Sequence, residues 1–339
     1  MPVELVLLSA ALLTAALYGL LGVTVPATPG TQGRIGPLEF YLLQLLSALN
    51  IYVILFTILM ILRGMVLLQH HRWQARTVPW RTFWIEQTRR LHPAELWQDF
   101  RRFNAIVVMF VIFGLLKNLI PHINPLVLDP WFIASEELLC GGRLCGELLH
   151  SLLGFGIAPS IGEHYHWYYG YMSITGLLFI AAGGRRLSQE YLCAFVLIFL
   201  TGVIWVYALP TWGPVYALPE RFEMFRGTPT HELQYALWAM KEQLARDPTR
   251  TDAIFMISGF PSLHVAVVLL GSMYLRHLHP VLSLLSWVFA ALIIHSTVYL
   301  GWHYVLDDVG SIALVLSCIW LARRLSRGWQ PPGTPDKGS

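Results

Sequence analysis

The chain has 339 residues, of which 55% are hydrophobic and only 13% charged, and its mean hydropathy is +0.55. A soluble domain carries about 25% charged residues, so the composition excludes an ordinary globular protein and points to a polytopic membrane protein. Lys+Arg 23 against Asp+Glu 20 leaves a net charge of +3, too small to argue for nucleic acid, and 4 cysteines are too few for a disulfide scaffold.

A bilayer core takes roughly 20 apolar residues per helix. Eight stretches qualify, at roughly 4–25, 38–62, 104–122, 165–183, 190–210, 262–279, 281–301 and 304–325. The predicted fold is all-α, a polytopic membrane helix bundle with about eight transmembrane helices. The first stretch lacks a basic leader and reads as a retained helix. Between the second and third stretches, 63–103 holds Arg63, Arg72, Arg76, Arg81, Arg89, Arg90, Arg101 and Arg102 among Trp73, Trp80, Phe83, Trp84 and Trp97. That mixture fits helices lying on an anionic leaflet. The segment 131–156 carries Glu136, Glu137, Arg143 and Glu147. It is too polar to span easily and reads as interfacial or packed on the bundle. Within the long loop 211–260, Leu233, Ala236, Leu237, Met240 and Leu244 fall on one helical face. This predicts an amphipathic helix at the membrane surface, either a brace or a lid. The tail 326–339, rich in Gly, Pro, Lys and Ser, reads as disordered.

Positive residues set the predicted orientation. With 63–103 in the cytoplasm, alternation brings Arg185, Arg186, Arg276, Arg323, Arg324 and Arg327 to the same side, together with both termini. The loops 123–164 and 211–260 then face the non-cytoplasmic side.

The chemistry is concentrated in two strings. Gly259-Phe260-Pro261-Ser262-Leu263-His264-Val265 opens the sixth stretch. Ser296 through Asp307, which includes Gly301-Trp302-His303-Tyr304, joins the seventh to the eighth. Both fall on the predicted non-cytoplasmic rim, where ionisable groups are costly and usually functional. His303 and Asp307 are spaced i, i+4, one above the other on a helix face. A carboxylate there accepts the Nδ1 proton and frees Nε2 as a nucleophile. Asp308 is rotated by about 100° and ranks below Asp307. Pro261 and Ser262 are ordinary helix-start residues, and the amides of a first turn attract anions. His264 is placed to protonate a leaving oxygen, and Ser262 to donate a hydroxyl.

Together the strings resemble two of the three signatures of the type 2 phosphatidic acid phosphatase superfamily. They are closer to its phosphotransferase branch, which includes inositol phosphorylceramide synthases. The resemblance in motif covers about 255–310. In helix arrangement it implies a six-helix catalytic core over 104–325, preceded by two helices and the Arg/Trp-rich loop in 1–103. It further implies that His303 attacks phosphorus to form a phosphohistidine, that Asp307 orients it and that His264 protonates the leaving group. No metal or other cofactor is implied. The implied partners are a lipid phosphate or phospholipid donor, a polyol or lipid alcohol acceptor and membrane lipids.

Two departures bear on the substrate. Phosphatase members carry Ser-Arg where this chain has Ser296-Thr297, so a guanidinium that would hold phosphate is missing. The first signature, Lys, six residues, then Arg-Pro, is also absent; the nearest string is Lys117 with Asn124-Pro125. Candidate substrate-binding residues are Ser262, Ser296, Lys117, Arg221 and Arg226, with Lys241, Arg246 and Arg250 on the same side. The losses favour transfer over hydrolysis. A lipid phosphate phosphatase is the alternative, followed by a non-catalytic transporter or scaffold and a zinc hydrolase. Of the remaining groups, His164, His166 and Trp167 read as an interfacial cap or head-group contact, and His295 as a hydrogen-bonded core histidine. Cys140 and Cys145 flank a Gly-Gly turn compatible with a disulfide.

Overall fold

The computed structural model describes residues 2–21, 25–26, 34–35, 61, 92–182, 184–246, 257 and 259–327. The stretch 38–62, the arginine-rich 63–91 and the tail 328–339 lie outside the described residues, apart from Ile61. The described chain is helical: α1 (Pro2–Leu20), α2 (Pro93–Asn118), α3 (Ile120–Ile123), α4 (Asp129–Leu139), α5 (Cys145–Leu153), α6 (Ala158–Ala182), α7 (Gly184–Ala208), α8 (Pro214–Ala217), a 3-10 turn (Pro219–Phe225), α9 (Pro229–Arg246), α10 (Leu263–Leu275), α11 (Pro280–Tyr299) and α12 (Val305–Arg327). One antiparallel pairing of two residues each, Val25–Pro26 with Arg34–Ile35, is the only extended structure described.

Four described helices are long and apolar enough to cross a membrane: α1, Arg186–Ala208 of α7, α11 and α12. α10 is apolar but shorter, while α2 and α6 have the length with more polar sequences. The protein is an integral membrane helix bundle. α7 lies at its centre, with every residue from Tyr191 to Leu200 buried, and it packs against α1, α2, α6, α10 and α12. α10 packs against α11 and α12.

Local chemistry sets the helix starts. Ser262 caps α10, its side chain accepting from the Val265 amide. His279 caps α11 in the same way, just before Pro280. α2 begins about ten residues earlier than its apolar stretch, behind the cap of His92 and Pro93. The charges read as loop are absorbed there: Asp99 pairs with Arg102 at 3.0 Å, and Arg101 reaches Glu4 of α1.

The polar segment 131–156 forms α4 and α5, joined by a disulfide between Cys140 and Cys145. Its carboxylates cap other helices. Glu136 accepts from the amides of Cys145 and Val305, the first residues of α5 and α12, at 3.0 and 2.8 Å. Such end amides have no partner inside their own helix, so one buried carboxylate anchors two helix starts. α9 is amphipathic as expected. Leu233 and Leu237 pack toward Tyr165 and Trp302, and Met240 and Leu244 toward Ile120, Val206 and Ile257.

Candidate active site

The two strings meet because the start of α10 is tied to the start of α12. The Ser262 amide donates to the Asp307 carbonyl at 3.2 Å, and the Ser311 hydroxyl lies 2.7 Å from the carbonyls of both Ser262 and Asp307. Thr211 fixes the approach to this junction. Its carbonyl accepts from the Gly259 amide and its hydroxyl from the Phe260 amide. Two glycines are required at the turn. Gly301 has φ 72° and a Cβ there would strike the Phe222 ring. Gly213 has φ 97° and a Cβ there would strike the Trp302 carbonyl.

His303, Asp307 and His264 form a line. His303 Nδ1 is 3.2 Å from Asp307 Oδ2. His303 Nε2 is 3.3 Å from His264 Nδ1, and His264 Nε2 is 3.0 Å from the Tyr165 hydroxyl. Asp307 is fully buried, and its Oδ2 also accepts from the Tyr304 amide at 2.9 Å. With Asp307 ionised and both histidines neutral, only one set of protons satisfies the whole line. Asp307 takes the His303 Nδ1 proton, His303 Nε2 takes the His264 Nδ1 proton, and Tyr165 donates to His264 Nε2. The lone pair then sits on His303 and the transferable proton on His264. Asp308 points elsewhere, with its Oδ2 3.2 Å from the Thr297 hydroxyl.

The surrounding shell holds this line rigidly. The Tyr304 hydroxyl donates to Asp129 at 2.8 Å, and Asp129 also accepts from the amides of Trp212 and Gly213. Burial pushes the carboxyls of Asp129 and Glu136 above their ordinary range, opposed in each case by the backbone amides they accept from.

His264 and His303 open onto a cavity of about 50 Å³ lined by Tyr165, His166, Trp212, Tyr216 and Trp302 and roofed by Leu233 and Leu237 of α9. That is room for a few waters, not for a phospholipid head group. Two roomier clefts carry no paired histidine and carboxylate. One is an apolar groove of about 510 Å³ between α1 and α2. The other, about 570 Å³, lies at the far end of α12 among Arg186, Glu190, His277, Arg323 and Arg327. Chemistry, not size, selects the histidine cavity.

The other candidates are placed unevenly. Lys117 is buried at the end of α2, its Nζ 5.5 Å from the Phe113 ring centroid, and it does not line the histidine cavity. Ser262 is buried in its cap. The Ser296 hydroxyl donates to the Leu292 carbonyl of its own helix at 2.7 Å. Arg221 and Arg226 do not join the cluster. Arg221 lies between Glu137 and Glu147 at 3.8 and 3.6 Å, and exposed Arg226 pairs with Glu223. Asn124 is used locally, donating to the Tyr207 carbonyl. Lys241 sits 3.6 Å from the ring centroids of both Trp212 and Trp238.

Among the described residues no metal-binding group of histidines, cysteines and carboxylates occurs. His164 and His166 each engage the backbone one turn earlier, and His166 also lines the cavity. The expectation of a hydrogen-bonded His295 is corrected: its Nε2 is enclosed without a partner, and the ring lies against Tyr299.

Sequence reading missed Tyr165, Asp129 and the indole of Trp302. Tyr165 had a signal: Tyr165, Tyr168, Tyr169 and Met172 follow i, i+3, i+4, i+7. Asp129 had none, because its partners are 83 and more residues away.

A family model described as the PAP2 superfamily matches residues 152–321. That span contains Tyr165, Tyr216, His264, Trp302, His303 and Asp307, and ends short of Lys117, Asp129 and Glu136. No curated protein matches the chain, and neither does any solved structure.

Proposed function

The chain belongs to the PAP2 superfamily, and on that premise we propose that it is a lipid phosphotransferase working through a phosphohistidine on His303. Membership supports an enzyme of the lipid phosphatase or phosphotransferase type, acting on lipid phosphates in a membrane. The observation that carries the finer reading is the unbroken line from Asp307 through His303 and His264 to Tyr165. The catalytic core on this reading spans 104–325, extending the family match toward the N-terminus to include Lys117.

The chemistry proceeds in two displacements. His303 Nε2 attacks phosphorus, the N–P bond forms, and the P–O bond to the leaving alcohol breaks. His264, first protonated to the imidazolium, gives its Nδ1 proton to that oxygen and is left neutral. Asp307 stabilises the positive charge on His303. An acceptor hydroxyl then loses its proton to His264 and attacks phosphorus, and the N–P bond breaks to restore His303. The 3.3 Å contact between the histidines closes the slot, so phosphorus enters by parting them. Tyr165 acts through His264 and is a positioning residue. Lys117 is the cation proposed to offset phosphate charge.

Transfer is favoured over hydrolysis because Thr297 occupies the position of a guanidinium and its hydroxyl lies between Ile294 O and Asp308. A phosphate carrying a head group has less negative charge than a terminal monoester and needs fewer cations. The test is a competition between phosphatidic acid and phosphatidylinositol at equal surface density, following phosphate and new phosphodiester. New diester from phosphatidylinositol is expected. Phosphate release from phosphatidic acid with no diester under any acceptor overturns transfer. Activity is expected to survive a chelator, and its loss would point to a metal enzyme.

The proposed active face is non-cytoplasmic, with both termini cytoplasmic. The Cys140–Cys145 disulfide beside the α12 start supports this, since disulfides persist in oxidising compartments. Arg186, Arg323 and Arg327 cluster at the opposite end. In sealed cells, Arg226→Cys should react with an impermeant thiol reagent from outside, against a silent background of buried Cys193 and Cys318. Labelling only from the cytoplasmic side reverses the orientation.

A further inference from the structure

We infer that the indole N–H of Trp302 and the hydroxyl of Tyr216 grip the non-bridging oxygens of the substrate phosphoryl group, and that these neutral donors select a phosphodiester. The inference rests on the phosphotransfer reading and names what replaces the missing arginine. Both side chains line the cavity that holds His264 and His303. Trp302 is only 9% exposed, and its Nε1 is enclosed without a hydrogen-bond partner, as is the Tyr216 hydroxyl oxygen. Native proteins seldom leave buried donors unpaired, because the desolvation cost is not recovered. Two such donors around one cavity, beside a nucleophile, are suited to an anion.

Their rings are fixed. Trp302 stacks on Tyr165 with centroids 5.6 Å apart, the same tyrosine that bonds His264. Tyr216 stacks on Trp238 at 5.4 Å and meets Trp302 edge-on at 6.2 Å. Trp302 immediately precedes the nucleophile, and the Gly301 carbonyl accepts from the Val215 amide beside Tyr216. Burial raises the Tyr216 hydroxyl above its ordinary value, so it stays protonated as a donor. A diester phosphate is a monoanion that two neutral donors can satisfy. A monoester dianion would leave charge uncompensated.

The experiment compares wild type, Trp302→Phe and Tyr216→Phe as purified full-length protein in lipid nanodiscs. It reads kcat/KM for phosphatidylinositol and phosphatidic acid, and the shift in Tm on adding inorganic phosphate. Each variant should lose roughly tenfold in kcat/KM on the diester, less on the monoester, and most of the phosphate-induced shift. Wild-type values in both readouts overturn the inference. Equal losses on both lipids overturn the selectivity and leave the grip. If Trp302→Phe lowers the unliganded Tm, Tyr216→Phe decides, because it removes one oxygen and keeps the stack on Trp238. A wild-type protein that turns over neither lipid and gains nothing from phosphate sinks the phosphotransfer reading itself. An active, phosphate-stabilised wild type with unaffected variants sinks only this inference.

Discussion

The same sequence device occurs at both ends of the bundle with opposite consequences. His303 and Asp307 are an i, i+4 pair at 3.2 Å with side chains 5% and 0% exposed. Arg186 and Glu190 are an i, i+4 pair at 3.0 Å, but the arginine is 78% exposed. Spacing brings partners together; burial decides what the meeting is worth. In water the Arg186 pair contributes about 0–1 kcal/mol. Out of water, Asp307 Oδ2 is held by His303 and the Tyr304 amide while Oδ1 is enclosed without a partner, and removing those partners leaves a costly group behind. At the active end the carboxylates nearest the line, Asp129 and Glu136, accept from backbone amides and not from cations.

The sharpest way to break the contrast is at the proposed nucleophile. His303→Ala should abolish turnover, and Asp307→Asn should lower kcat by about 10⁴-fold, since the nucleophile remains but its tautomer is no longer set. His264→Ala should slow donors with poor leaving groups most. The assay is product formation from a purified lipid donor, and a wild-type rate for His303→Ala would refute the mechanism.

The next effect is on stability. Asp129→Ala removes the acceptor of the Trp212 and Gly213 amides and the Tyr304 hydroxyl. It should cost about 3–9 kcal/mol, at roughly 1–3 kcal/mol for each of the three donors left unpaired. Asp129→Asn, which keeps one oxygen, should cost less. Thermal unfolding in detergent measures both.

A smaller effect is read against pH. His150 is buried, with Nε2 2.6 Å from the Tyr299 carbonyl and Nδ1 unpartnered. Burial pushes its pKa below the ordinary 6.5. A depressed folded pKa gives stability that is intact above the unfolded value and is lost as pH falls from there through the folded value. The Tm of wild type should therefore fall below pH 6.5 more steeply than that of His150→Asn. The raised carboxyls of Asp129 and Glu136 have the opposite sign, losing stability as pH rises through their folded values, so the difference between the two proteins isolates the histidine. Parallel curves would show that His150 does not titrate in this way.

The smallest change is at the exposed pair. Arg186→Ala should alter stability by less than about 1 kcal/mol and leave turnover unchanged. A large loss of activity would mean that the far end of α12 is coupled to the site.

What could be read from the sequence follows the same division. Apolar runs gave α11 and α12 nearly to their ends, and α7 except for its first six residues, because a bilayer imposes length and composition locally. His264, His303 and Asp307 could be read because their spacing fixes their geometry within one or two helical starts. The early start of α2 was hidden, since Asp99 and Arg102 look like loop charges until they are seen paired inside a helix. α6 begins at Ala158 and not near 165 because its first turns, with Gly162 and His164, are helical without being apolar. The donor roles of Tyr216 and the Trp302 indole were unreadable because an unpaired donor is a property of surroundings, not of spacing.

The carboxylates of α4 also impose a timetable. The Tyr304 hydroxyl and the Val305 amide find Asp129 and Glu136 across 175 and 169 residues. At about 5–20 residues per second of synthesis, both acids wait roughly ten to thirty seconds before α12 exists to receive them. During that interval Asp129 has only the Trp212 and Gly213 amides, and Glu136 only the Cys145 amide, to accept from. A chain cut down to the matched family span would never make these bonds, and His303 would precede a helix whose first amide has lost its acceptor.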